Sequence, residues 1–178
     1  MSYQEINAFL GELNAQKGIG ARALEIAILT ACRTSEVLHA RWQEIDFEQR
    51  IWTIPAERMK NRQLHRIPLT DAALRVFRTL EGHPEWIFPS PERDGPIYNK
   101  VMFDLLRKMN RTDITVHGFR ATFRIWTAER TSYAQEIAEM ALAHKQASAV
   151  ERAYQRSDLF EHRRALMQDW ANWCEGIL

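Results

Sequence analysis

Apolar side chains recur at helical spacing through most of the chain and at strand spacing in one short stretch. Ser2-Tyr3-Gln4-Glu5 reads as a capping box, and Ile6, Phe9, Leu10 and Leu13 follow on one helical face. Gly18 and Gly20 interrupt that helix, and Ala21–Ala31 is apolar enough to be a second, buried one. Thr34 is a candidate cap for a short third helix, Ser35–Ala40, which leaves Arg33 at the junction. The period then changes. Glu44–Phe47 and Ile51–Pro55 alternate around a short polar turn, as in a β-hairpin, and His65–Leu69 supplies a third strand.

Helical spacing returns after Thr70-Asp71 and runs to Leu80, where Gly82-His83-Pro84 stops it. Ser90–Pro96 is a loop, and helices are expected over Val101–Met109 and from about His117 to Arg130. Ser132-x-x-Gln135 reads as a second capping box opening a helix to Ala143. A short helix around Ala149–Gln155 and a long one over Asp158–Cys174 complete the pattern. Neither repeat nor linker divides the 178 residues. The expectation is one α+β domain, mostly α-helical, with a small antiparallel three-stranded sheet flanked by helices.

Composition changes this picture little, but charge changes it more. The formal net charge is only +1, which by itself argues against bulk attraction to a polyanion. Divided along the chain it is −2 over residues 1–50, +1 over 51–99, +4 over 100–164 and −2 over the remainder. The stretch 58–66 holds Arg58, Lys60, Arg62, His65 and Arg66 with no acid. Such concentration suits local phosphate contact, although a solvated basic face is the ordinary reading. No apolar run is long enough for a membrane span, and two cysteines are too few for a disulfide framework.

Several residues could carry chemistry. His117 and Arg120, three apart at a helix start, project from one face and can address one anion together. Arg33 ends an apolar helix, with Glu36 as its obvious partner. His144 closes another apolar helix, and Tyr154 lies ten residues further on. Taken singly, each has a plain structural reading: a solvated helix end, an internal ion pair, a C-terminal cap, half-buried packing.

Their order carries more than any one of them. Arg33, Lys60, His117-x-x-Arg120, His144 and Tyr154 follow the order and approximate spacing of the tyrosine recombinase (phage integrase) catalytic domain. Leu29-Thr30-Ala31-Cys32-Arg33-Thr34-Ser35-Glu36-Val37 and Leu38–Asp46 resemble its first arginine box. Trp52–Lys60 with His65-Arg66-Ile67-Pro68-Leu69 resembles the lysine hairpin of integrases from prophages and genomic islands. Ile87-Phe88-Pro89-Ser90 and the tract His117–Thr127 are similar to the same subgroup. Two positions depart from it: the family usually has Gly where this chain has Ala31, and often where it has Ala143. Alanine loses the easy access to positive φ that glycine provides.

The resemblance implies site-specific DNA recombination, the integration or excision of a prophage or genomic island, through a 3′-phosphotyrosyl intermediate. Tyr154 would be the nucleophile, Arg33 and Arg120 the clamp on the non-bridging oxygens, and Lys60 the acid for the leaving 5′-oxygen. His117 would be the base and His144 a hydrogen-bond partner of the phosphate. Neither metal nor other cofactor is implied, because cations of the protein fill that role. Arg58, Arg62, Lys100, Lys108, Arg124 and Lys145 are candidate DNA contacts; about five phosphates would give a salt slope of roughly −4 to −5.

By the same resemblance, residues 1–178 would be one catalytic domain without the core-binding and arm-binding domains that usually precede it. The implied partners are double-stranded attachment sites, further copies of the protein in a tetramer on DNA, and accessory bending proteins, in a bacterial, nucleoid-associated, cytoplasmic setting. The apolar face of the last helix (Leu159, Leu166, Trp170 and Trp173) is expected to dock on its own domain or to be exchanged with a neighbouring protomer. Relaxation of the type IB topoisomerase kind, a non-catalytic DNA-binding relative and a helical interaction module are the competing readings.

Overall fold

A computed structural model describes residues 1–80, 82–144 and 158–177. The short helix expected around Ala149–Gln155 lies outside them, as do Lys145 and Tyr154.

The Ser2 hydroxyl accepts from the Gln4 N–H at 3.3 Å and the Glu5 carboxylate accepts from the Ser2 N–H at 3.4 Å, forming the expected capping box. A 3-10 turn there leads into α1 (Ile6–Asn14), which buries Ile6, Phe9, Leu10 and Leu13. Helix α2 (Ile19–Thr30) is buried almost all round, and helices pack against it from several sides. Gly20 permits one of these contacts. A Cβ there would lie 2.5 Å from Cγ1 of Val101 on α5 (Lys100–Lys108), so α2 and α5 approach too closely for any side chain.

Helix α3 (Thr34–Leu38) starts one residue earlier than expected. Arg33, not Thr34, is its N-cap, because Glu36 reaches back to accept the Arg33 N–H at 2.8 Å. Three strands follow, β1 (Ile45–Asp46), β2 (Ile51–Ile54) and β3 (His65–Pro68), antiparallel in the order β1-β2-β3. Ile45 pairs with Trp52, and Ile54 pairs with His65. This register turns Trp52 and Ile54 inward, with Trp52 edge-on to Phe77 of α4 (Asp71–Arg78) at 6.2 Å. Thr70 caps α4 through the Ala73 N–H, as its position predicts.

Helices α6 (Gly118–Arg130) and α7 (Gln135–Ala141) come next. The capping box expected from Ser132 and Gln135 does not form: the N-cap of α7 is Ala134, with no side-chain bond. The Thr131 hydroxyl organises that turn instead, donating to the Thr127 carbonyl and accepting the Tyr133 N–H.

The final helix, α8 (Phe160–Glu175), turns its apolar face inward. Trp170 is 0% exposed and donates to the Ile28 carbonyl of α2 at 2.9 Å. Its ring centroid is 5.0 Å from that of Trp126 and 5.5 Å from that of Phe123, both on α6. Trp173 donates to the Tyr3 carbonyl. In the single chain the indole N–H groups and the apolar face of α8 are satisfied within its own domain, the first of the two expected arrangements. Among the described residues no helix is long and apolar enough to cross a membrane.

Candidate active site

The site is assembled where helices end. Helix α2 stops at Ala31, which takes φ 52°, the left-handed conformation more usual for glycine. The turn exposes the Ala31 carbonyl and leads at once to Arg33. Helix α7 stops in a similar way. Ala143 has φ 49°, its N–H donates to the Met140 carbonyl, and the His144 N–H donates to the Glu139 carbonyl. These paired bonds form a Schellman turn, in which the left-handed position is normally glycine. Both alanines that depart from the family's glycines thus hold the strained conformation, at roughly 1–2 kcal/mol each.

Two guanidinium groups hang from these helix ends. Arg120, in the first turn of α6 and 5% exposed, donates through Nη1 to the Ala31 carbonyl and through Nη2 to the Leu142 carbonyl at 2.7 Å. Arg33 donates through Nη2 to the Ala143 carbonyl at 3.2 Å and pairs through Nη1 with Glu36 at 2.7 Å. Consecutive carbonyls at the negative end of α7 therefore hold both cations, which suits a helix C-terminus. Burial, helped by the nearby Arg33 charge, holds the Arg120 guanidinium below its ordinary value. Arg120 Nε has no partner among the described residues. Two like charges side by side, with a buried donor left over, can bind an oxyanion.

His65, on β3 and 8% exposed, is bonded to the backbone of Ala141, the residue before those two carbonyls. Burial pushes its imidazole down to about 4; Arg163 and Arg33 push the same way, while Glu36 and the Ala141 bond oppose them. An unfolded chain would take up this proton first, near pH 6.5. The stabilisation is therefore complete above about pH 6.5 and lost as pH falls toward 4, by roughly 3 kcal/mol. In chemical denaturation between pH 4 and 7, His65→Gln is expected to flatten that acid limb; an unchanged limb would assign it to other groups.

The other expected site residues divide. Lys60 is exposed on the loop after a 3-10 turn, Ala56–Arg58, and His117 is the exposed N-cap of α6 with no side-chain capping bond. Arg62, Lys100 and Lys108 are exposed, Lys100 lying 3.8 Å from Asp104. Arg58 is largely engaged within the domain: its side chain is 16% exposed, pairs with Glu44 and donates to the Glu36 carbonyl at 2.6 Å. It braces the base of the Lys60 loop against α3. Arg124 is likewise engaged, its Nε 2.6 Å from Glu139.

Glu139 escaped the sequence reading, although a carboxylate in the last turn of a helix opposes the helix dipole and so signals a partner elsewhere. Asp158 and Arg163 escaped it too. Asp158 accepts two bonds from Arg66 at 2.9 and 2.8 Å and one from Arg163 at 2.9 Å. This clamp ties the start of α8 to β3.

A mostly helical domain with a three-stranded sheet thus holds two arginine side chains between helix ends. A profile of the phage integrase family matches residues 1–160. The chain belongs to that family. It is 38% identical over 150 residues to prophage integrase IntA of Escherichia coli (strain K12), covering 82% of this chain and 36% of IntA. It is 32% identical over 179 residues to IntZ of the same organism, covering 98% of this chain and 44% of IntZ. The chain spans less than half the length of these curated relatives.

Among solved structures, the integrase from mycobacterium phage Brujita superposes with a TM-score of 0.69 at 18% identity, over 91% of this chain and 55% of that one. The Tn1549 transposon integrase, in complex with circular intermediate DNA, gives 0.59 at 18% identity, over 90% of this chain and 61% of that one. These likenesses establish the tyrosine recombinase fold.

Proposed function

We propose that this chain is the catalytic domain of a site-specific recombinase, cutting and rejoining DNA strands at the attachment site of a prophage or related mobile element. The observation that carries this reading is the Arg33–Arg120 pair, two cations held side by side on consecutive carbonyls of one helix end. A scissile phosphodiester supplies the missing anion. The two forks hold its non-bridging oxygens and stabilise the charge that builds up in the transition state.

The family resemblance makes Tyr154 the nucleophile, and two of the other tyrosines are bonded to carboxylates. Tyr133 donates to Asp169 at 2.7 Å, and burial together with that bond pushes its phenol up to about 12. Tyr3 is raised as well, chiefly by its bond to Glu129. Tyr98 lies under the Arg93 guanidinium. In the cleavage step the Tyr154 oxygen forms the new bond to phosphorus and the bond to the 5′-oxygen breaks. His117 accepts the phenol proton, and Lys60 gives a proton to the departing 5′-oxygen. Rejoining runs the same steps in reverse. Arg62, Lys100 and Lys108 contact the DNA backbone. Integrase complexes with DNA among the structural relatives agree with a DNA substrate.

A nicked suicide duplex carrying the attachment-site core tests the proposal. The expected product is a denaturation-resistant protein–DNA adduct that disappears in Tyr154→Phe. An adduct that survives this substitution, or none at all, overturns the assignment. Relaxation of supercoiled plasmid lacking any such core would turn it toward topoisomerase chemistry.

A further inference from the structure

Glu139 occupies the last turn of α7, where the carbonyl ends of the helix disfavour a negative side chain. Two partners hold it there. Oε1 accepts from Nε of Arg124 on α6 at 2.6 Å, and Oε2 lies 2.6 Å from Nδ1 of His144. Partial burial works against its ionisation, but the bonds from Arg124 and His144 hold the carboxyl below its ordinary value. An ionised carboxylate can only accept, so the proton between Oε2 and His144 resides on Nδ1.

That constraint has a chemical consequence at the other side of the ring. With Nδ1–H directed at Glu139, Nε2 is the only ring nitrogen left for an outside partner: a lone pair when the imidazole is neutral, a donor when it is charged. The ring is held in the bond as well, because Arg124 anchors the carboxylate from α6. Arg124, a candidate DNA contact from the sequence, thereby gains a role within the domain.

We infer that Glu139 is a positioning residue that fixes the tautomer and orientation of His144, so that Nε2, a donor when the imidazole is charged, is the atom offered to the scissile phosphate. The inference rests on the proposed function for its last step, since only that reading places a phosphate at His144. Carboxylates that orient a functional histidine typically change activity by about 10–100-fold when neutralised.

Two arms test it. Long-range proton–nitrogen NMR on the free protein is expected to show His144 in the Nδ1–H form, and Glu139→Gln, whose amide both donates and accepts, to mix the two tautomers. A wild-type ring protonated on Nε2, or a ring unmoved by the substitution, overturns the inference. On the nicked suicide duplex at saturating protein, Glu139→Gln is expected to slow adduct formation by about 10–100-fold with DNA affinity within about twofold. Glu139→Asp should restore part of the rate. On a His144→Ala background, Glu139→Gln should cost less than about twofold more, because its action runs through the missing ring. A full additional loss there also overturns the inference. If the wild type forms no Tyr154-dependent adduct, the recombinase reading falls and the phosphate step falls with it, while the NMR arm still decides the tautomer.

Discussion

Arg120→Lys is expected to lower the rate of adduct formation by at least about 10³-fold, the scale of losing an arginine that stabilises a phosphoryl transition state. Charge is conserved in this variant, so the loss measures geometry. The Arg120 fork bridges the Ala31 and Leu142 carbonyls and keeps Nε in reserve. An ammonium has no planar fork and cannot hold both mounts while addressing a phosphate oxygen. The variant should also be less stable, since each buried carbonyl left without a donor costs roughly 1–3 kcal/mol. Single-turnover cleavage and thermal unfolding, measured together, separate the two effects. A lysine variant that cleaves within tenfold of wild type would remove Arg120 from the phosphate clamp.

Arg163→Ala is expected to produce the largest loss of stability, about 3–5 kcal/mol, from backbone carbonyls left without donors at about 1–3 kcal/mol each and the void it opens. For a chain of this length that lowers the melting temperature by about 6–20 °C. Arg163 is 1% exposed, and its three donor nitrogens are all engaged: Nε with the Asp158 carbonyl at 2.7 Å, Nη1 with the Arg66 carbonyl at 2.5 Å, Nη2 with the Asp158 carboxylate. Burial holds its guanidinium below the usual value, Asp158 opposing and Arg66 reinforcing the shift. Alanine leaves two carbonyls without donors and a void beside Phe160. Asp158 keeps its bidentate bond to Arg66, which favours the lower half of the range. Arg163→Met fills the void without supplying donors, so it should recover only the packing part. Thermal denaturation of the three proteins distinguishes these contributions; an alanine variant as stable as wild type would show that the clamp carries no weight.

The order of elements was legible from spacing alone because helices and strands here keep clean periods, as in Ile6-Phe9-Leu10-Leu13 and the Ile51–Ile54 alternation. The errors have local causes. Glu36 capped Arg33 rather than Thr34 because its carboxylate had a stronger donor to satisfy, and Thr131 displaced Ser132 in the turn before α7. The apolar face of α8 was evident, but an amphipathic pattern does not say which surface it covers. Arg58 and Arg124 looked free because their acids lie 14 and 15 residues away. The mounts of the two arginines are backbone carbonyls, which leave no mark in side-chain identity. The two alanines in place of glycine were the nearest thing to a sign of them.

The Schellman turn at the end of α7 makes the two arginines one instrument. Leu142 and Ala143 are adjacent, so two consecutive peptide planes set the height of Arg120 and the height of Arg33. In the recombinase reading, displacing that turn would disturb one mount of each fork at the phosphate, with the Ala31 carbonyl and Glu36 still holding the other, and His144, the next residue, would move with the turn. The site is therefore tuned as a block.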